Sequence, residues 1–370
     1  MSSLRVLITS LNLSSRGGAP LYVKDLATAL IDRGHKPVVY SLDHGRIAQE
    51  LRAATVPVIK DLNLLSTPPD IIHGNQQVET MIALLHFSQA PAVYFCHGWM
   101  SWLEGPPRFP RILRYVAVSN FLYDRLVCEH GIPERIARVI LNFVDLDRFK
   151  PRGPLPEKPK RALVFSNYAN ERTHLRAVRE ACVGTGIDLD VIGAGVGNTC
   201  EKPELELGKY DIVFAKGRAA IEALAVGTAV VLCDAEGAGP MVTTHDLDRL
   251  RSFNFGVRVM RDPLCPKFIR HEIERYNPQD AAEVSRRIRA TAGRDAAVDQ
   301  VVDLYREVIA EYKEKGPFDI SEEGRAAAAY LQQVYADFMY HRALTSRLRS
   351  RLLKVPLLGP LLVSLRDRRF

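Results

Sequence analysis

The chain has little of what several protein classes require. It holds six cysteines (Cys96, Cys128, Cys182, Cys200, Cys233, Cys265), none in C-x-x-C spacing. That scatter excludes a disulfide framework or a thiolate zinc site and fits reduced thiols, hence the cytoplasmic side. The longest apolar stretch, 219–233, is interrupted by Glu222 and falls short of the roughly 20 residues that cross a bilayer. Residues 1–13 carry one basic side chain and no small-residue cleavage site, so no secretory signal is expected. The basic tail lacks interleaved aromatics, which argues against a nucleic-acid binder.

What is present is globular. Apolar residues at 47% and charged residues at 25% leave no case for disorder, and 370 residues suffice for two domains. The net charge of +7 is concentrated in the last stretch, where Arg342, Arg347, Arg349, Arg351, Lys354, Arg366, Arg368 and Arg369 face the single acid Asp367. Such a field favours an anionic surface.

Short apolar strands alternate with amphipathic helices in the first half: strands over 5–9, 37–41, 70–73 and 92–96, helices over 21–33 and 78–87. A short strand at 116–118, a helix capped by Ser119-Asn120 and ended by Gly131, and a strand at 138–141 follow. Residues 152–160 form a proline-rich charged linker. The pattern then restarts, with strands at 162–166, 189–193, 211–214 and 229–233 and helices at 172–184 and 217–225. This predicts an α/β protein with two Rossmann-like lobes, ligands lying outside the carboxyl ends of the strands. The expected boundaries are 1–151 for the first lobe, 161–295 for the second, a bracing helix over 296–315 and a basic helical extension over 316–370. In that extension Leu344, Leu348 and Leu352 share one helical face among arginines, which fits an interfacial helix on lipid or a helix packed on the second lobe. Pro356 and Pro360 forbid a continuous helix beyond it.

Several residues stand where chemistry is to be sought. Gly17-Gly18 follows the first strand and opens a helix, whose bare amides suit a diphosphate or simply make a tight turn. His97 ends a strand, where an imidazole meets a sugar hydroxyl or phosphate, accepts a proton, or merely caps. Glu222 lies on an otherwise apolar helix, where a buried carboxylate needs a partner.

Three stretches carry a resemblance: Gly17-Gly18 with Leu26-Ala27, Leu30 and Gly34-His35; Val116-Ala-Val-Ser119 through Asn142-Phe-Val-Asp145 to Phe149-Lys-Pro151; and Lys216-Gly-Arg-Ala-Ala-Ile-Glu222 leading to Gly227. Together they resemble the GT-B glycosyltransferases of the group 1, or family 4, type over roughly 5–315. The resemblance implies transfer of a sugar from a nucleotide diphosphate sugar, held by the second lobe, to a glycan or lipid-linked acceptor approaching from the first, with retention of configuration. It implies no cofactor and no required metal; none of the Asp-Leu-Asp triplets at Asp145, Asp188 and Asp246 resembles a metal-binding D-x-D. By the resemblance the donor meets Gly17 and Gly18, Arg172 falls at the family's phosphate-binding lysine and Glu222 takes the ribose, with catalytic roles on His97 and Arg172; Lys216 or Arg218 supplies from the next loop the charge missing at Asn167, and Glu236, in the glycine-rich stretch 234–240, faces the same cleft or is a solvated acid on a turn. His35 and His73 are expected to be structural. Two departures stand out, Asn167 where the family has arginine and Phe214 where it has the first glutamate of its pair. They motivate an alternative, a noncatalytic nucleotide-sugar binding or scaffold protein; a nucleotide-sugar epimerase is a third reading. The expected location is cytoplasmic, peripheral on the inner face of a membrane through 342–370.

Overall fold

The computed structural model describes residues 3–99, 104–316 and 318–353. In the first lobe β1 Arg5–Thr9, β2 Lys36–Tyr40, β3 Val58–Ile59, β4 Ile71–Gly74, β5 Ala92–Cys96, β6 Ile112–Ala117 and β7 Ala137–Val139 form one parallel sheet in the order β3-β2-β1-β4-β5-β6-β7. The second sheet, β9-β8-β10-β11-β12, contains β8 Arg161–Phe165, β9 Asp188–Ile192, β10 Ile212–Ala215, β11 Ala229–Asp234 and an antiparallel edge strand, β12 Gly237–Met241. Helices α1 Gly18–Asp32, α2 Arg46–Ala53, α3 Gln77–His86 and α4 Asn120–Asp124 belong to the first lobe. The second carries α5 Leu175–Thr185, α6 Pro203–Glu206, α7 Gly217–Val226, α8 Leu247–Ser252, α9 Pro266–Glu274 and α10 Pro278–Thr291, and α11 Arg294–Lys315 and α12 Ile320–Leu353 follow. Both sheets reverse their winding beside their first strand, β1 and β8, so a crevice opens at their carboxyl ends.

The chain crosses between lobes twice, side by side. Val144 donates its N–H to Ala292 O and accepts from Arg294 N, at 2.9 and 3.0 Å. Beyond that point α11 buries Val298, Val301, Tyr305 and Val308 in the first lobe's core with Val6, Ile8 and Leu26. The extension packs on the first lobe rather than the second: Tyr330 of α12 is buried with Leu84, Phe87 and Ile112, and Ala326, Ala327 and Val334 pack beside it. Its basic residues from Lys354 onward, with Pro356 and Pro360, lie outside the described residues.

Three elements differ from the pattern reading. β6 begins at Ile112, four residues before the predicted strand, because Arg111 and Arg114 are buried rather than marking a surface. Arg111 donates to Phe87 O and Ala90 O and pairs with Glu323 of α12 at 2.6 Å; Arg114 pairs with Glu307 and Glu311 of α11. α5 starts at Leu175, not 172, since Asn170 and Thr173 bond the preceding turn: Thr173 Oγ1 donates to Tyr168 O at 2.9 Å and Asn170 Oδ1 accepts from Arg172 N at 2.9 Å. Such side-chain bonds compete with the helix. The glycine-rich segment after β11 forms strand β12 instead of a turn, its glycines needed where 258–262 lies against it.

Candidate functional site

The site is a seam between α1 of the first lobe and α7 of the second. α1 begins at Gly18, capped by Gly17 with no side-chain acceptor, so its first N–H groups and positive end remain available to an anion. A methyl group on Gly18 would meet nothing within 4 Å, and one on Gly17 nothing nearer than 3.6 Å. Both glycines therefore border open space rather than a crowded turn.

Opposite stands α7, capped by Lys216. Its Arg218 donates Nε to Glu222 Oε1 at 2.8 Å and reaches across the seam with Nη2 to Asp25 Oδ2 of α1. Both acids are buried, Asp25 at 3% and Glu222 at 4% exposure, and the Arg218 side chain between them is 11% exposed. Burial lowers the Arg218 guanidinium, but Asp25 and Glu222 outweigh it and the group is raised above its ordinary value. Burial raises the Glu222 carboxyl more than Arg218 and nearby Arg148 lower it, as expected when two carboxylates share one cation. Arg148, on the segment that crosses between lobes, is itself paired with Glu204 at 3.0 Å.

His97 sits beside this group at the end of β5. Asn75 Nδ2 donates to Thr9 O at 2.7 Å, which orients the amide so that its Oδ1 accepts from His97 Nε2 at 2.8 Å. This network assigns the proton to Nε2 and leaves Nδ1 as an acceptor. Burial, with Arg218 nearby, pushes the imidazole down to about 3, so the ring is neutral at physiological pH. The Tyr22 ring lies 4.4 Å away between centroids, and its buried hydroxyl has no partner among the described residues. His73 is tied to Tyr305 of α11 by a 2.6 Å hydrogen bond, and His35 Nδ1 accepts from Leu4 N at 3.1 Å.

The remaining second-lobe candidates form a separate cluster at the carboxyl ends of β8, β10 and β11. Lys216 pairs with Asp234 at 2.9 Å and Glu236 at 2.5 Å and lies over the Tyr168 ring. Ser166 Oγ donates to Asp234 Oδ1 at 2.8 Å. His174 is fully buried beside it with neither ring nitrogen bonded, and burial lowers it. Asn167 is exposed and fixes the 193–197 loop, accepting from Ala194 N and Gly195 N. Phe214 is wholly buried in β10, among Val164, Val178 and Val231. Arg172 is exposed on the turn before α5, its guanidinium bonded to no described residue.

A second contact closes the outer edge of the seam. Arg16, next to the glycines, pairs with Glu50 and donates to Glu201 O at 3.1 Å, while Arg46 pairs with the Glu201 carboxylate. Thus the structure gathers Gly17, Gly18, His97, Arg218 and Glu222 at one seam and Lys216 with Glu236 in the adjoining cluster; nothing ties Arg172 to either. Asp25, Asn75 and Tyr22 were missed, although Asp25 stands in the apolar stripe of α1 with Tyr22, Leu26 and Ala29. An acid within such a stripe was the available signal. Among the described residues no group of three or more His, Cys, Asp or Glu side chains is placed to hold a metal ion.

Residues 16–148, the first lobe, match the family described as Glycosyltransferase Family 4. No curated protein matches the chain by sequence. A glycosyltransferase from Rickettsia africae is similar over 84% of this chain and 99% of its own, at 16% identity and a TM-score of 0.63. The Anabaena protein Alr3699/HepE in complex with UDP is similar over 83% and 100%, at 16% identity and a TM-score of 0.59. The same protein with UDP-glucose gives 82% and 100%, at 14% identity and 0.57.

Proposed function

We propose that this chain is a GT-B glycosyltransferase of the family 4 type, and that it moves a sugar from a uridine diphosphate sugar to a glycan or lipid-linked acceptor, with retention of configuration and without a metal ion; the family match over the first lobe and the fold shared with the Rickettsia africae glycosyltransferase support the reading. The observation that carries this reading is the Arg218–Glu222 pair on α7 at the seam, where Arg218 also reaches Asp25 of α1. Uridine is favoured because UDP and UDP-glucose are bound in the Anabaena protein of the same fold.

In this mechanism Glu222 receives the ribose hydroxyls. The leaving diphosphate is neutralised by the Gly17-Gly18 amides, Arg218 and Lys216, with Arg172 approaching from its exposed turn. Donor binding draws Arg218 away from Asp25, since a diphosphate oxygen and the Asp25 carboxylate compete for the same guanidinium edge. His97, neutral and with Nδ1 free, accepts a hydrogen bond from a donor or acceptor hydroxyl and is no proton donor at neutral pH. Calorimetric titration with UDP, GDP, ADP and dTDP tests the donor site. UDP is expected to bind, with loss of binding in Glu222→Ala; binding of none of the four would favour the noncatalytic reading.

The proposed setting is the cytoplasmic face of an anionic membrane. Along α12 Leu331, Tyr335 and Phe338 are 60%, 65% and 59% exposed and recur at helical spacing ahead of the basic tail. Among the described residues no helix is long and apolar enough to cross a membrane. Sedimentation with phosphatidylglycerol vesicles should be weakened by Phe338→Glu, a change that spares the docked Tyr330 and the Arg111–Glu323 pair; unchanged sedimentation would refute this placement.

A further inference from the structure

A cleft of about 440 Å³ opens on the second lobe, lined by Arg249, Arg258 and Arg261 over a floor that includes Phe253, Phe268 and Pro240. Its position follows from β12. A Cβ on Gly237 would sit 2.5 Å from Met260 O and one on Gly239 2.5 Å from Val259 O. Only glycines at these two positions let the 258–262 segment lie against the strand, where Ala238 and Asp262 exchange backbone hydrogen bonds of 3.1 and 3.0 Å. Arg258 and Arg261 are thereby held on an ordered edge although both are exposed.

The charges in this cleft are unequally spent. Glu272 is satisfied, accepting from Met241 N at 2.7 Å and pairing with Arg275 at 2.6 Å. Arg249 pairs with Asp246 at 2.8 Å. Arg258 has only the Phe121 ring, 5.8 Å from its guanidinium carbon, and Arg261 has no partner among the described residues, Asp262 included. Phe121 belongs to α4 of the first lobe, so Arg258 stands where the two lobes meet, while every residue lining the cleft comes from the second lobe. There Arg251, from the same helix as Arg249, donates to Asn142 O at 3.4 Å and is paired with no carboxylate among the described residues; burial lowers it to about 10. Guanidinium groups free of carboxylates beside aromatic faces suit a phosphate ester joined to a sugar or apolar chain.

We propose that Arg258 and Arg261 hold the phosphate or diphosphate group of the acceptor, which makes the acceptor of this enzyme a phosphorylated one. This rests on the reading above that the chain transfers a sugar to a glycan or lipid-linked acceptor. The test is calorimetry on the full chain, with UDP titrated first as the reference and then held in excess to occupy the donor's diphosphate site while inorganic pyrophosphate, glucose 1-phosphate and farnesyl diphosphate are titrated as probes. The double variant Arg258→Ala, Arg261→Ala should weaken pyrophosphate binding about tenfold or more and leave UDP binding unchanged, while Arg261→Lys should stay within a few-fold of the parent. Farnesyl diphosphate binding tighter than pyrophosphate, and weakened by the double variant, would assign a lipid-linked source; glucose 1-phosphate binding as well as either would assign a water-soluble one. Pyrophosphate binding unaltered by the double variant would overturn the proposal. Failure of UDP to bind, with the arginine effect intact, would instead sink the donor reading alone.

Discussion

Two of the charged contacts that bridge the lobes of this protein differ chiefly in their surroundings. Asp25, Arg218 and Glu222 meet in a buried seam, whereas Arg46 and Glu201 meet at its exposed outer edge. Partners of the same chemistry therefore have unequal consequences. In the buried contact each charge has surrendered water and depends on its neighbours, so loss of one strands the others. In the exposed contact solvent and salt substitute readily. Only the buried contact also holds Glu222 and Arg218, the carboxylate and guanidinium proposed above for the donor.

The largest effect should come from Arg218→Met, which leaves Asp25 and Glu222 as buried unpaired acids. Urea unfolding is expected to show a loss of about 3 kcal/mol, and titration a loss of measurable UDP binding. Asp25→Asn separates the two properties. It should cost about 2 kcal/mol of stability yet tighten UDP binding severalfold, because Arg218 is released; weakened binding would show that Asp25 supports the donor rather than competing with it.

The pH dependence sharpens the same contrast. His97, beside the buried contact, is held down to about 3, against an unfolded value near 6.5. Between those values the unfolded chain binds the extra proton, so stability falls as pH drops below about 6.5 and keeps falling towards 3. From pH 6.5 to 5 this amounts to about 2 kcal/mol. His97→Gln should flatten that part of the profile, leaving the slope contributed by His73 and His174, which burial also lowers. An unaltered slope would mean that His97 titrates normally in the folded state. The smallest effect is expected from Arg46→Ala: an unchanged melting temperature, with only the salt dependence of UDP association reduced.

The seam was partly legible before folding. Gly17-Gly18, Glu222 and His97 announced themselves by position after strands or on an apolar helix, and these signals are local. Asp25 sat in an apolar stripe and was passed over as part of a helix pattern. The cleft at Arg258 and Arg261 left no trace at all, because the glycines of β12 read as a turn until 258–262 lies across them. Arg172 shows the reverse: a residue placed by alignment to the family's phosphate-binding lysine stands exposed on a turn held by Asn170 and Thr173.

By itself the sequence determined the alternation of strands and helices, because side-chain period and glycine or proline punctuation act over a few residues. It also determined the repetition of that pattern in two lobes around a proline-rich join. Tertiary structure alone decided which charges lose water. Arg111 and Arg114 interrupt an apolar strand in sequence, yet are buried because Glu323, Glu307 and Glu311 arrive from helices some 200 residues later. Arg218 meets Asp25 from 193 residues away. Whether a charge is stranded, paired or free for a ligand depends on distance and desolvation across the folded chain, which no local pattern encodes.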